Sequence, residues 1–250
     1  MPTNNTGHWS DPPSLLTVGN DEVHVWRAFL DQTPDQASLF ESLLSEDEIA
    51  RAWKYRFPLH RDRFVSRRAF IRLLLGRYLR TQAPEIDFEY TEYGKPLLAS
   101  RHATKLRFNL SSSHNLALVA VAYGRDVGVD VEKINEALIE ESIPEQFFSA
   151  RETARLRALS RSCQTAAFFD CWARKEAYIK AKGMGLSLPL DSFDVSFGDA
   201  KPARLLRTLP DQQEAERWTM MALQPAPGHA AALVIEGQEC VVRCWTFQYE

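Results

Sequence analysis

Ala69-Phe70-Ile71-Arg72 and Ala177-Tyr178-Ile179-Lys180, 108 residues apart, are the two stretches on which the fold turns. Each sits inside a long helical pattern, and each is followed by a similar apolar strand. His114-Asn115-Leu116-Ala117-Leu118-Val119 pairs in this way with His229-Ala230-Ala231-Ala232-Leu233-Val234, at an offset of 115. Two similar offsets in the same order predict a duplicated unit of one long helix and antiparallel strands. The expectation is therefore an α+β protein with a pseudo-two-fold arrangement of similar halves, residues 1–126 and 127–250, and a ligand cleft between them.

Working outward, a helix is expected from Ser38 to Phe57, open to a break at Ser45, where Ser45 and Glu48 have capping-box spacing. A second is expected from Arg61 to Arg80, with Phe64, Ala69, Ile71, Leu74, Leu75 and Tyr78 as its apolar face. Alternation and β-branched residues predict strands at Ile86–Tyr90, Leu106–Leu110, Leu116–Tyr123 and Val127–Val131. After a short helix following Ser149, the long helix Thr165–Lys182 ends at Gly183. Strands are then expected at Phe193–Phe197, Trp218–Leu223, Ala230–Ile235 and Val241–Phe247.

The composition agrees with a globular chain, since 45% of the 250 residues are hydrophobic and 25% charged. Apolar runs such as Leu116–Tyr123 are far short of the ~20 residues that span a bilayer. Residues 1–13 carry neither a basic stretch nor an apolar core of the secretory kind, so a cytoplasmic protein is expected. The four cysteines fit no disulfide scaffold or zinc spacing, and the six histidines form no helical ligand pair. The net charge of −3 hides an asymmetry: residues 51–80 hold ten basic residues and one acid, Asp62. A local +9 field in an otherwise acidic chain suits a compact polyanion better than nucleic acid.

Five motifs carry chemistry. In Gly128-Val129-Asp130-Val131-Glu132, strand alternation puts both carboxylates on one face, where a hard cation, or merely solvent, would relieve their repulsion. In Trp172-Ala173-Arg174-Lys175-Glu176-Ala177-Tyr178-Ile179-Lys180, Glu176 and Lys180 lie one helical turn apart, as a surface ion pair or as a third acid beside a phosphate-binding lysine. Ser149 and Glu152 have capping-box spacing, which alone accounts for both. Tyr93-Gly94-Lys95-Pro96 reads as a turn. Phe108-Asn109-Leu110-Ser111-Ser112-Ser113-His114 ends a strand in hydroxyls, fit for phosphate oxygens or for satisfying a turn.

In order and spacing, these motifs resemble the 4′-phosphopantetheinyl transferases of the larger, surfactin-synthetase-activating type. The resemblance covers about residues 43–197 and is most specific at Gly128–Glu132 and at Trp172–Leu190, with Gly183-Met184-Gly185-Leu186-Ser187-Leu188-Pro189-Leu190. It implies transfer of the phosphopantetheine arm of coenzyme A to a serine of an apo acyl or peptidyl carrier protein, with release of adenosine 3′,5′-bisphosphate. It further implies that Asp130, Glu132 and Glu176 hold magnesium, with manganese as a substitute. Glu152 falls at the general base and Lys180 at the group neutralising the departing phosphate. Arg51, Arg63 and Ser111 fall at phosphate contacts, and Gly94, Lys95 and Pro96 at the adenine. The first half would thus contact coenzyme A and the second carry the metal ligands and catalytic residues. Where many relatives have histidine, this chain has Ser112, so weaker discrimination between coenzyme A and its 3′-dephospho form is expected. A metal-dependent nuclease and a non-catalytic carrier- or coenzyme-binding module are the alternatives. One chain with both halves would suffice for a site, so a monomer without nucleic-acid or membrane partners is expected.

Overall fold

A computed structural model describes residues 6–135, 143–198 and 202–249. Two sheets form its centre. The first has the strand order β11-β1-β5-β4 and the second β6-β10-β9. Here β1 is Glu22–Phe29, β4 Leu106–Ser113, β5 Leu116–Tyr123, β6 Val127–Lys133, β9 Trp218–Leu223, β10 His229–Glu236 and β11 Val241–Thr246. Two hairpins, β2 (Phe88–Tyr90) with β3 (Pro96–Leu98) and β7 (Phe193–Val195) with β8 (Leu205–Thr208), stand apart from them.

The sheets stack face to face. Val23, Val25, Leu116, Leu118 and Ala120 from the first meet Val129, Val131, Leu233 and Ile235 from the second in one core. The opposite face of the first sheet, with Trp26, Ala117, Val119 and Val121, packs on α3 (Pro58–Leu79) through Phe70, Ile71, Leu74 and Leu75. The opposite face of the second, with Ala230, Ala232 and Val234, packs on α6 (Arg161–Lys182) through Phe169, Ala173 and Ala177. The layers are therefore helix, sheet, sheet, helix. This explains the unbroken apolar run of β5, a central strand buried on both faces up to Ala122. Two short helices, α1 (Pro34–Ser42) and α2 (Glu46–Ala52), cover α3. The expected Ser38–Phe57 helix is thus broken at Ser45, which caps α2 with Glu48.

Each half runs strand, long helix, small hairpin, then two strands, and β1-β5-β4 has the same spatial order as β6-β10-β9. The echoed stretches fall on corresponding elements of this order, α3 and α6, and β5 and β10. The sheets depart from the expected division at 126 in one respect: β11 lies parallel to β1, in the first sheet. The sequence reading also omitted β1 itself. His24 interrupts its apolar appearance, yet it and Trp26 are both buried and bonded to the Tyr78 hydroxyl, at 2.6 and 3.0 Å. Burial lowers the His24 pKa to about 4, so its neutral ring accepts the Tyr78 proton while Trp26 Nε1 donates to the same oxygen.

Candidate active site

The site begins where the edge strands β4 and β6 meet. Alternation along β4 turns Asn109, Ser111 and Ser113 towards β6. Asn109 Oδ1 accepts from the Val129 amide at 2.8 Å, Ser111 donates to Asp130 Oδ1 at 2.7 Å, and Ser113 Oγ accepts from the Lys133 amide at 3.0 Å while donating to Glu132 Oε2 at 3.1 Å. Side chains of one sheet thereby satisfy edge groups of the other. Two of the three hydroxyls in the serine run therefore join sheets. Ser112, on the other strand face, accepts from Arg67 Nη1 of α3 at 2.9 Å.

Gly128 sets the distance of α6 from β6. A β-carbon there would stand 2.1 Å from the Ala177 carbonyl oxygen and 2.4 Å from the Ala181 amide nitrogen, so only glycine lets the helix lie against the strand. This close approach brings α6 residues one turn apart over the acids of β6. Lys180 Nζ reaches Asp130 Oδ1 at 2.5 Å and donates to Ser111 Oγ at 2.9 Å. Asp130 is 1% exposed, and its Oδ2 is buried without a hydrogen-bond partner. Burial and then the Asp130 charge push Glu132 up to about 7. Glu176 is raised too, by burial and, after the opposing effect of Lys180, by Asp130. Burial alone would lower Lys180, but Asp130 and the other two acids outweigh it and hold the ammonium above its ordinary value. Among the described residues no three such side chains stand ready to hold a metal ion as they are arranged. Lys180 is the cation at Asp130 in this state.

A cleft of about 330 Å³ opens beside this cluster, lined in part by Arg51, Arg67, Gly94, Pro96, Ser111, Ser112 and Lys180. Six of the expected positions thus share one cavity. Of the other six, Asp130, Glu132 and Glu176 belong to the cluster beside it, and Arg63, Lys95 and Glu152 lie elsewhere. Arg63 bonds Asp31 at 2.9 Å and lines a neighbouring cleft of about 280 Å³ with Tyr55, His60 and His114. The Lys95 ammonium points inward to the carbonyls of Val127 and Ala181, at 3.2 and 3.1 Å, and burial lowers its pKa to about 8. It fastens the turn to the end of α6.

Glu152 sits apart from this cleft, in the second half of the chain. It is 3% exposed and caps α5 (Ala150–Ala158), which follows the short α4 (Ile143–Phe147), its Oε2 accepting from the Ser149 amide at 3.0 Å and its Oε1 from the Val195 amide at 2.8 Å. Lys175, fully buried, pairs with the same carboxylate at 2.7 Å and donates to the Leu190 and Phe193 carbonyls. Burial raises the Glu152 pKa while Lys175 opposes it. Both oxygens of this carboxylate are thus engaged where α5, α6 and β7 meet. The local reading as a cap was the physical one.

Arg67 is the site residue the sequence reading passed over. Its signal was the four-residue spacing from Arg63, which places both on one helix face. Its neighbours Arg68 and Arg72 serve differently, both pairing with buried Glu48, Arg72 at 2.7 Å. Two of the ten basic residues in the +9 segment are therefore internal structure.

Comparison with known proteins shows the family. A family model for the 4′-phosphopantetheinyl transferase superfamily matches residues 126–234, and one for the N-terminal part of 4′-phosphopantetheinyl transferase matches residues 30–124. The chain is 38% identical over 240 residues to the 4′-phosphopantetheinyl transferase HetI of Nostoc sp. (strain PCC 7120), covering 96% of this chain and 98% of that one. It is 32% identical to the 4′-phosphopantetheinyl transferase psf-1 of Bacillus pumilus, over 76% and 79% of the two chains. Identity to the 4′-phosphopantetheinyl transferase Sfp of Bacillus subtilis (strain 168) is 29%, over 69% and 76%. With both halves matched by family models and one relative matched almost end to end, the chain belongs to the 4′-phosphopantetheinyl transferase family, the enzymes that transfer the phosphopantetheine arm of coenzyme A to carrier proteins.

Proposed function

We propose that this chain transfers the arm to a carrier-protein serine by seating coenzyme A in the cleft lined by Arg51, Gly94, Pro96 and Ser111, with the pyrophosphate at Lys180 and the acids Asp130, Glu132 and Glu176. The observation that carries the reading is Asp130, with one oxygen bound by Lys180 and Ser111 and the other buried and unpaired. An orphaned carboxylate oxygen flanked by two acids whose protons it helps retain is a donor set suited to a hard divalent cation. Asp130, Glu132 and Glu176 would hold magnesium, or manganese. When bound there, such an ion supplies charge neutralisation on pyrophosphate oxygens.

The chain's own residues do the rest. Phosphoryl transfer needs positioning and electrostatic stabilisation more than covalent help. Lys180 is held by Asp130 and Ser111, so its ammonium is oriented in advance to neutralise the phosphate that leaves as adenosine 3′,5′-bisphosphate. The cleft takes residues from both sides of position 126, which supports a monomer as the working unit. Among the described residues no helix is long and apolar enough to cross a membrane. The reading includes a cytoplasmic site of action.

The test is mass spectrometry of a panel of apo carrier proteins incubated with the chain, coenzyme A and magnesium, with and without a chelator. Addition of the arm to at least one carrier, abolished by the chelator, is expected. Transfer that persists under chelation would remove the metal from the reading. Absence of transfer to every carrier would remove the activity.

A further inference from the structure

Trp53-Lys54-Tyr55-Arg56-Phe57-Pro58-Leu59-His60 runs from the end of α2 into the first turn of α3, and every one of these residues is exposed. Trp53, Phe57 and Leu59 are each more than half exposed, at 63%, 56% and 53%. Tyr55 is exposed as well, with its ring against Phe64 at 5.4 Å between centres. Nowhere else among the described residues do more than two large exposed apolar side chains fall within seven positions. Single apolar side chains on a surface need no explanation, whereas a concentration of them marks a contact. The backbone that carries them is held in shape. The amides of Trp53, Lys54 and Tyr55 donate to the carbonyls of Ile49, Arg51 and Ala52, and those of His60 and Arg61 donate to the Phe57 carbonyl.

Charge and shape together decide what the contact is with. From Arg51 to Arg61 the chain has four Lys or Arg, His60 and no acid. Arg61 is paired with Asp62 at 3.0 Å, but Lys54 and Arg56 meet no carboxylate among the described residues. Tyr55 and His60 line the smaller cleft, whereas Trp53, Lys54, Arg56, Phe57 and Leu59 line neither cleft and project from the surface. A projecting tip offers no groove for a nucleic-acid backbone and no pocket for a protein partner's side chain. One face of the Trp53 ring is covered by the Arg61 guanidinium at 4.6 Å, and one face of Phe57 by that of Arg56 at 5.5 Å, which leaves less ring for a base to stack on. Aromatic and aliphatic side chains interleaved with cations suit the boundary between anionic headgroups and acyl chains, where the rings enter and the cations stay among the headgroups. We propose that residues 53–60 are a peripheral contact with an anionic lipid surface, with Trp53, Phe57 and Leu59 entering the boundary and Lys54 and Arg56 meeting the headgroups. So few inserted side chains make a reversible contact. The assignment is independent of the coenzyme reading, and it departs from the expectation of a chain without a membrane partner.

Co-sedimentation tests it, using vesicles of phosphatidylcholine alone and of phosphatidylcholine mixed with phosphatidylglycerol, at low and high salt. The proteins are the native chain, Trp53→Ser/Phe57→Ser/Leu59→Ser, which keeps every charge, and Lys54→Glu/Arg56→Glu, which keeps every ring. The native chain should bind the mixed vesicles, bind phosphatidylcholine alone far more weakly, and release with salt as the charges are screened. Each variant should bind the mixed vesicles roughly tenfold or more weakly. Both should melt near the native temperature, because only exposed side chains change and serine at position 57 is a favoured cap for α3. Should the triple variant melt early, Trp53→Ser alone takes its place and should still weaken binding. A native chain that ignores the mixed vesicles overturns the assignment, whether or not it retains single-stranded DNA. A triple variant that binds like the native chain also overturns it, since the basic field alone would then account for the attraction. Equal binding to the two kinds of vesicle removes the anionic lipid from it.

Discussion

At the residue scale, two carboxylates with raised pKa values have different physical meanings. Glu152 is buried against Lys175, and Glu152→Ala would leave that fully buried ammonium without its counter-charge. Removing one partner of a buried pair costs about 3–5 kcal/mol, so the urea midpoint should fall sharply while the folded fraction still transfers. A variant with a native midpoint and no transfer would return Glu152 to the chemistry. Glu132 instead has its pKa raised to about 7, chiefly by burial and by Asp130. An acid with a folded pKa above its unfolded value of about 4.5 retains a proton in the folded state that the unfolded chain has released. Stability in the absence of divalent cation should therefore decline as pH rises from about 4.5 to about 7. Melting temperatures measured across that window in chelator should fall less for Glu132→Gln than for the native chain. Equal slopes would show that Glu132 is not the group concerned.

At the element scale, the pairing of β6 with α6 carries the site, and Gly128 carries the pairing. The Gly128→Ala methyl would stand 2.1 Å from a backbone oxygen, which no side-chain rotation relieves, so the helix must lift from the strand. Overpacking of this kind costs about 1–3 kcal/mol and here also withdraws Glu176 and Lys180 from Asp130. Expected outcomes are a lower melting temperature and a loss of transfer of at least about tenfold, disproportionate to the unfolded fraction. Full activity in the folded fraction would show that the close approach serves packing alone. The serine run is the counterpart on β4: its alternation sends Ser111 and Ser113 to one sheet and Ser112 to a helix, so that a repetitive sequence has two functions.

At the scale of the whole molecule, the last strand ties the two ends of the chain together. Removing residues 240–250 takes away β11, whose register with β1 runs from Glu22↔Val241 to Arg27↔Thr246. It also takes away Trp245 and Phe247, both packed against Trp26 at 4.9 and 6.2 Å between ring centres. The truncated chain should lose cooperative unfolding of the first sheet and, with it, the coenzyme binding proposed for the cleft at Arg51. Cooperative melting near the native temperature would show that β11 is dispensable, as a strict division at residue 126 would require.

What the sequence determined by itself was whatever depends on short spacing. Periods of two and of 3.6 identified β4, β5, β6, β9, β10, β11 and the two long helices, and the acids and lysine around Asp130 followed from their places on one strand and one helix. The family was legible in the same motifs, because transfer chemistry fixes residue types at fixed intervals. Only the tertiary structure decided which face met which. It showed that β1, whose apolar pattern His24 interrupts, lies between β11 and β5. It showed that Glu152 is neutralised by Lys175, 23 residues further along the chain, and that Lys95 turns inward to α6. It also showed that, of the arginines in one basic run, Arg68 and Arg72 are consumed by Glu48 while Arg67 is left facing a cavity. Burial and charge pairing are properties of neighbours in space, and a linear sequence specifies those neighbours only by folding.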